Sequence, residues 1–272
     1  MNVYCDEPFQ FFPTNADYKE LRGTFITNCI CNGFLTYTAI MLNIVTICAI
    51  RKTSTLPKNL KTLLVSLAIS DVGVGLVGQP TYLSLHVSWL KLNDPSCNAN
   101  RLLAISGNLF SLASFLGVVA VSVERFLALR LHLRYQELVS QERVGTLVIS
   151  IWAFSLFVSL MVFWSSVHII SIIISVTASF SFIVSVVLYL RIYLTVRRHK
   201  HQIQSLQVQD ISQSGEITNF SRLVKSAIDI FYVYLVFLFC YSPCFISVVL
   251  IKIFGSSVAL KRFRSEEHTS EL

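Results

Sequence analysis

The stretch that decides the fold is SFLGVVAVSVERFLALRLHLRY, which runs from Ser114 to Tyr135. Its first part is uncharged and passes without a break into Glu124-Arg125-Phe126. A charged pair is costly inside hydrocarbon, so this pair is expected at a membrane boundary, where such charges usually serve function. The boundary fixes which ends of the other apolar segments lie on the same side of the membrane.

The composition is that of a membrane protein. Mean hydropathy is +0.64 and charged residues make up 14% of the chain, against about 25% in soluble domains. Six apolar segments each approach or exceed the ~20 residues that a helix needs to cross about 30 Å of hydrocarbon. They are predicted at residues 24–50, 60–87, 100–129, 144–163, 167–196 and 223–254. Because the runs are continuous rather than alternating, we predict an all-α, polytopic transmembrane bundle and exclude a β-barrel.

The ends of the chain differ from this bundle, which is predicted over residues 24–263. Residues 1–23 are polar and show no basic start before an apolar core, so we expect an extracellular N-terminus without a cleavable signal peptide. A polar loop is predicted from Arg197 to Arg222. The last nine residues, RSEEHTSEL at 264–272, look like the translation of a sequencing adaptor and are excluded from the fold.

Basic residues predict the orientation. Assigned to alternate sides of the predicted segments, fourteen Lys and Arg fall on the side of Arg125 and seven on the other. The positive-inside rule therefore places Arg125 in the cytoplasm and the N-terminus outside. The net charge of +7 is a topology signal, and it predicts no nucleic-acid partner.

Several motifs in order resemble those of the rhodopsin-like (class A) G-protein-coupled receptors, in the adenosine- and melanocortin-like branch. They are Asn43 in LNIVTICAI, Asp71 in LLVSLAISDVGVGLVGQP, Ser114, Glu124-Arg125-Phe126, Trp152, Tyr189 in YLRIYLTVRRH, and Phe237, Cys240, Tyr241 and Pro243 in FLFCYSPCF. The resemblance covers essentially the whole chain before residue 264 and implies six of the seven helices of such a receptor. No seventh segment and no N-P-x-x-Y sequence appear, so we expect a receptor truncated before helix seven.

The resemblance implies a plasma-membrane receptor, not an enzyme, that carries an extracellular ligand signal to heterotrimeric G proteins through outward movement of helix six. The implied switch residues are Glu124, Arg125, Phe126, Leu133, Tyr189, Phe237, Tyr241 and Pro243. Arg125 is expected to pair with Glu124 at rest. The family often has an acidic residue at the base of helix six that holds the arginine, but this chain has Leu223 there. Asp229 either substitutes for that acid or is merely a solvated carboxylate. Because Arg125 is then only weakly restrained, we predict signalling in the absence of ligand.

Asp71 is a carboxylate at membrane depth with no basic residue predicted at its level. Either it keeps its proton or a cation compensates its charge. The resemblance implies that the cation is sodium, held with Ser114. No cofactor is required.

Residues that are missing from the predicted pocket exclude several classes of ligand. Amine receptors carry a carboxylate where this chain has Gly107, and adenosine receptors carry an asparagine where it has Val248. Thr81, Asn100 and Ala104 stand where melanocortin receptors have acids. The predicted pocket contains Gln79, Tyr82, Asn108, Ser111, Thr177, Tyr241 and Phe245. Its mixture of apolar and neutral polar groups favours a small, non-amine ligand.

The second outer loop is short and has no cysteine. Cys5 and Cys97 are both expected on the oxidising side, so a Cys5–Cys97 disulfide is a candidate replacement for the family's usual bridge.

Other functions stay open at this point. A non-functional receptor fragment is the nearest alternative, and an opsin-type photoreceptor requires a lysine on the seventh helix. A channel or transporter predicts charges lining several helices, whereas Asp71 and Asp229 are nearly the only interior ones.

Overall fold

The computed structural model describes residues 22–54, 56–91, 97–131, 135 and 139–206, and every regular element among them is helical. Five helices are long and apolar enough to cross a membrane, which confirms the predicted all-α class. The predicted sixth segment, 223–254, lies outside the described residues. The first span is Arg22–Lys52, the third is Cys97–Leu131 and the fifth is Val167–Leu206. The second span consists of the helix Lys58–Gly73, a π-helical turn Val74–Gly78 and a further helix Gln79–Leu90. The fourth span is the helix Gln141–Leu160, followed by a 3-10 turn Met161–Phe163.

The chain forms two compact units, one ending at Leu188 and the other beginning at Tyr189. In the first unit the second span packs against the first and the third, and the third packs against the fourth. The buried apolar side chains of this unit include Leu60, Leu63, Leu112, Val158 and Val162. The third span is therefore the central helix of this unit. In the second unit, Tyr189 and Ile192 are buried.

The third span is longer than a bilayer core. Its 35 residues correspond to about 50 Å at 1.5 Å per residue, against about 30 Å of hydrocarbon. The helix is therefore long enough to extend past the apolar layer. Glu124 and Arg125 lie near its end, and their position at a membrane boundary stays a prediction.

Glycines bring the first three spans close together. A Cβ at Gly73 would overlap the ring of Phe110, and a Cβ at Gly75 would lie 2.5 Å from Ile40 Cγ1. Small residues permit this close approach of membrane helices. The π-helical turn follows directly, and the Gln79 backbone N–H donates to the Val74 carbonyl, five residues earlier.

The helix ends differ from the predicted ones by up to three residues, except the end of the fifth span, which lies ten residues further on. The fifth span continues to Leu206, so the prediction of a loop beginning at Arg197 is wrong for residues 197–206. That stretch has no glycine or proline and several good helix formers, so the helix continues beyond its apolar part. The fourth span begins three residues earlier than predicted, because Ser140 caps it by accepting from the Arg143 backbone N–H at 3.3 Å.

Candidate functional site

The candidate site is a charged pair at the end of the third span. The Arg125 guanidinium donates to both oxygens of Glu124, from Nε to Oε2 at 2.5 Å and from Nη2 to Oε1 at 2.8 Å. Each side chain is 3% exposed. Two parallel hydrogen bonds between ionised groups are among the strongest polar contacts in proteins. The pair is therefore closed and shielded from water in this conformation.

Tyr135 completes the pair from the following loop. Its hydroxyl donates to Glu124 Oε1 at 2.5 Å. Burial raises the pKa of Tyr135 to about 12, and the hydrogen bond to Glu124 acts in the same direction. The phenol therefore keeps its proton at physiological pH and can act as a donor. Glu124 thus receives donors from both Arg125 and Tyr135.

Asn59, at the start of the second span, holds the same loop. Its Nδ2 donates to the Val139 carbonyl oxygen at 2.7 Å. The Val139 backbone N–H donates to the Tyr135 carbonyl at 2.9 Å, so Val139 is hydrogen-bonded directly to Tyr135. The cluster therefore joins the second span, the third span and the loop between the third and fourth.

Phe126, the third residue of the predicted motif, is half-buried. The Arg130 guanidinium lies 5.8 Å from the centre of its ring. This cation–π contact occupies Arg130 on the exposed side of the helix. Arg125, in contrast, has Glu124 as its charged partner.

Asp71 and Ser114 meet inside the bundle. Ser114 Oγ donates to Asp71 Oδ1 at 3.5 Å, and Ser114 is buried. The Asn43 side chain instead donates to its own helix at the Ala39 carbonyl, 2.9 Å away. No group of three or more His, Cys, Asp or Glu occurs among the described residues. In the described part of the chain, the adjacent oxygens of Asp71 and Ser114 are the groups that could hold a cation here.

Trp152 ties the fourth span to the second and third. Its Nε1 donates to Ser66 Oγ at 3.0 Å, and the Phe110 ring lies edge-on to it, with centroids 6.2 Å apart and an interplanar angle of 81°. Phe110 is also the ring that lies against Gly73. These contacts align three spans at the depth of the predicted sodium site.

The predicted ligand pocket is only partly within the described residues. Gln79, Tyr82, Asn108, Ser111 and Thr177 are all half-buried, and the Oε1 of Gln79 is buried without a hydrogen-bond partner. A Cβ at Gly107 would meet nothing within 4 Å. A groove of about 430 Å³ exists elsewhere, between the third and fourth spans. It is lined by Leu109, Val148, Ile149, Trp152, Ala153 and Leu156 and shares no residue with the predicted pocket.

Other predicted site residues fall outside the described part of the chain. They are Cys5, Leu133, Phe237, Tyr241, Pro243 and Phe245. Cys97 is disulfide-bonded, but the pairing with Cys5 stays a prediction. Tyr189 is buried in the second unit, and its role in the switch stays a prediction as well.

Sequence patterns did not assign a role to Asn59, Ser66 or Tyr135. Each acts through a partner distant in the chain, such as Val139, 80 residues after Asn59. A polar side chain at a helix start or in a loop is ordinarily solvated. The available signal was weak: a tyrosine eleven residues beyond Glu124, on the predicted cytoplasmic side.

The geometry defines a polytopic helical membrane protein with a buried ion pair at one end of its central helix. Comparison with known proteins agrees. Residues 42–168 match the profile of the family described as "7 transmembrane receptor (rhodopsin family)". The chain is 27% identical over 247 residues to melanocortin receptor 4 of Danio rerio, an alignment that covers 88% of this chain and 74% of that protein.

Two further relatives are similar over shorter regions. Adenosine receptor A2b of Gallus gallus is 29% identical over 118 residues, which cover 43% of this chain and 34% of that receptor. Melanopsin-B of Xenopus laevis is 31% identical over 107 residues, or 38% of this chain and 19% of that protein. The family profile and these relatives support a rhodopsin-like (class A) G-protein-coupled receptor, which is a multi-pass membrane protein with a signalling role and not an enzyme.

Proposed function

We propose that this receptor lies in the plasma membrane with its N-terminus outside and transmits the binding of a small, non-amine extracellular ligand to heterotrimeric G proteins. The buried Glu124–Arg125 pair carries the proposal. An arginine that cannot lose its charge is held by a neighbouring carboxylate near the end of the central helix. Such a pair is a two-state element, because opening it exposes a fixed positive charge to a cytoplasmic partner.

The proposed cycle begins with Arg125 closed on Glu124. Ligand binding on the outer side favours outward movement of helix six about the proline kink predicted at Pro243. Arg125 then leaves Glu124 and supports the G protein, with Tyr189 as its partner in the active state. Phe237 and Tyr241 on helix six and Leu133 in the loop are the remaining proposed parts of this movement.

The chemistry of the proposed pocket favours a neutral ligand. Gly107 supplies no carboxylate for an ammonium group, and the space beside it is open. The melanocortin receptors among the relatives are named for melanocortin binding. By family resemblance, melanocortin receptors have acidic residues at three positions that support such binding. This chain has the uncharged residues Thr81, Asn100 and Ala104 there.

The coupling is tested by nucleotide exchange. We expect the receptor, reconstituted in lipid with purified heterotrimeric G proteins, to accelerate GTP binding, and we expect Arg125→Leu to abolish the acceleration. Arg51→Leu is the matched control, because Arg51 is an exposed arginine at the same predicted face. Equal exchange with and without receptor for every G-protein subtype would contradict the proposal.

We also propose sodium at Asp71 and Ser114. The fit is chemical, because a carboxylate and a hydroxyl oxygen at 3.5 Å are hard ligands of the kind that hard cations prefer. When bound, the ion would neutralise Asp71 and favour the closed bundle.

Sodium should therefore stabilise the ligand-free receptor. We expect a higher melting temperature in sodium chloride than in the N-methylglucamine salt at equal ionic strength, by mass action on the folded state. Ser114→Ala should reduce the difference and Asp71→Asn should remove it. Ser70→Ala is the control, because Ser70 adjoins Asp71 but donates to the Leu67 carbonyl at 2.7 Å. An undiminished sodium effect in Asp71→Asn would place the ion elsewhere.

A further inference from the structure

Asn59, a polar residue at the start of the second span, connects that span to the Glu124–Arg125 pair through Val139 and Tyr135. Asn59 Nδ2 donates to the Val139 carbonyl at 2.7 Å, and Val139 is joined to Tyr135 by a backbone hydrogen bond of 2.9 Å. Tyr135 in turn donates to Glu124 at 2.5 Å. A continuous series of hydrogen bonds therefore runs from Asn59 to the Glu124–Arg125 pair.

The Asn59 side chain interacts with both the Val139 carbonyl and the Tyr135 hydroxyl. The nearby Lys61 ammonium donates to the Thr53 carbonyl, and Lys58 is exposed. Among the described residues at this end of the second span, the Asn59 amide therefore holds Val139 and Tyr135 in place.

The position of Tyr135 decides whether its hydroxyl reaches Glu124. A hydrogen bond at 2.5 Å depends steeply on distance and angle, so a small displacement of Tyr135 weakens it. The Tyr135 hydroxyl also interacts with the Asn59 side chain, which lowers the pKa of Tyr135 against the larger effect of burial. Asn59 thus acts on both Val139 and Tyr135.

We propose that Asn59 is a positioning residue for the switch: by holding Val139 and Tyr135 it directs the Tyr135 hydroxyl onto Glu124 and so favours the closed Glu124–Arg125 pair. The signalling part of this inference rests on the proposed function. Its structural part, that Asn59 determines the placement of Tyr135, does not.

The proposal makes basal activity depend on a residue outside the motif. Removing one hydrogen bond of ordinary strength shifts an equilibrium by about two- to tenfold. We expect Asn59→Leu, which keeps the size and removes the donors, to raise ligand-independent nucleotide exchange by that factor. Asn59→Asp, which keeps the shape but offers acceptors in place of the donor to Val139, should do the same.

The double variant separates a shared path from two independent effects. Tyr135→Phe should also raise basal exchange about two- to tenfold. Because both residues act through the bond from Tyr135 to Glu124, Asn59→Leu combined with Tyr135→Phe should match the larger single effect. Increases that multiply in the double variant would overturn the proposal. Asn98→Leu is the matched control, because Asn98 is exposed at the start of the third span.

A measurement of position keeps the two proposals separable. We expect 3-fluorotyrosine at position 135 to give a single fluorine resonance in the wild-type receptor, and Asn59→Leu to shift and broaden it while Asn98→Leu leaves it unchanged. An unaltered resonance in Asn59→Leu overturns the positioning role, whether or not the receptor activates G proteins. A displaced resonance with no nucleotide exchange in any variant, wild type included, supports the positioning of Tyr135 and overturns the proposed coupling instead.

Discussion

Glu124→Gln is expected to give a receptor that signals several-fold more without ligand and that unfolds at a lower temperature. The substitution keeps the shape of the side chain and removes its charge. Arg125 is 3% exposed and has Glu124 as its ion-pair partner. Its guanidinium therefore becomes an uncompensated buried charge, which favours any conformation that exposes it.

The size of the effect follows from that burial. Removing one partner of a buried ion pair costs about 3–5 kcal/mol, more than most single substitutions. A receptor of this length should lose on the order of 10 °C in melting temperature. Basal exchange is measured with purified G protein and the melting temperature by thermal scanning of the same preparation.

Glu142→Gln is the control for this experiment. Glu142 is an exposed acid in the first turn of the fourth span, at the same predicted face of the membrane. The control should melt and signal like the wild type, since exposed charges contribute little to stability. If both variants behave alike, the Glu124–Arg125 pair restrains nothing and the proposed switch is wrong.

Gly73→Ala is expected to destabilise the bundle, although alanine usually stabilises a helix relative to glycine by about 0.4–1 kcal/mol. A Cβ at this position overlaps the ring of Phe110, which lies edge-on against Trp152. The contact with Trp152 limits the space into which the Phe110 ring could withdraw. Overpacking of this kind costs about 1–3 kcal/mol.

Two glycines of the same bundle provide matched controls. A Cβ at Gly107 or at Gly145 meets nothing within 4 Å, so alanine there should leave the melting temperature unchanged or raise it slightly. Phe110→Leu in the Gly73→Ala receptor should restore part of the loss by removing the ring. A melting temperature for Gly73→Ala above that of the wild type would show that the helices separate easily at this contact.

Much of the fold could be predicted because hydrocarbon imposes strong rules on sequence. Long apolar runs must become helices, and charged residues must lie at the boundaries. The five described spans therefore appear where the sequence places them, and Glu124 and Arg125 lie together at a helix end. The adjacency of Asp71 and Ser114 was implied by family resemblance, and the distance between them could not be obtained without the fold.

The loop contacts could not be predicted, because no periodic pattern specifies them. The bond between Asn59 and Val139 joins residues 80 positions apart. It forms only when the fold brings the start of the second span and Val139 together. The continuation of the fifth span to Leu206 was missed for a related reason. Polar residues end the membrane-buried part of a helix, but they do not end the helix itself.

The π-helical turn at Val74–Gly78 has a consequence for any helical wheel drawn through the second span. A bond from Gln79 N–H to the carbonyl five residues earlier accommodates one residue more than an α-helical turn does. One α-helical residue corresponds to about 100° of rotation. A helical wheel that starts at Asp71 and continues unbroken therefore assigns Gln79 and Tyr82 to the wrong angle around the helix axis. The wheel is correct for the residues of the α-helix that ends at Gly73.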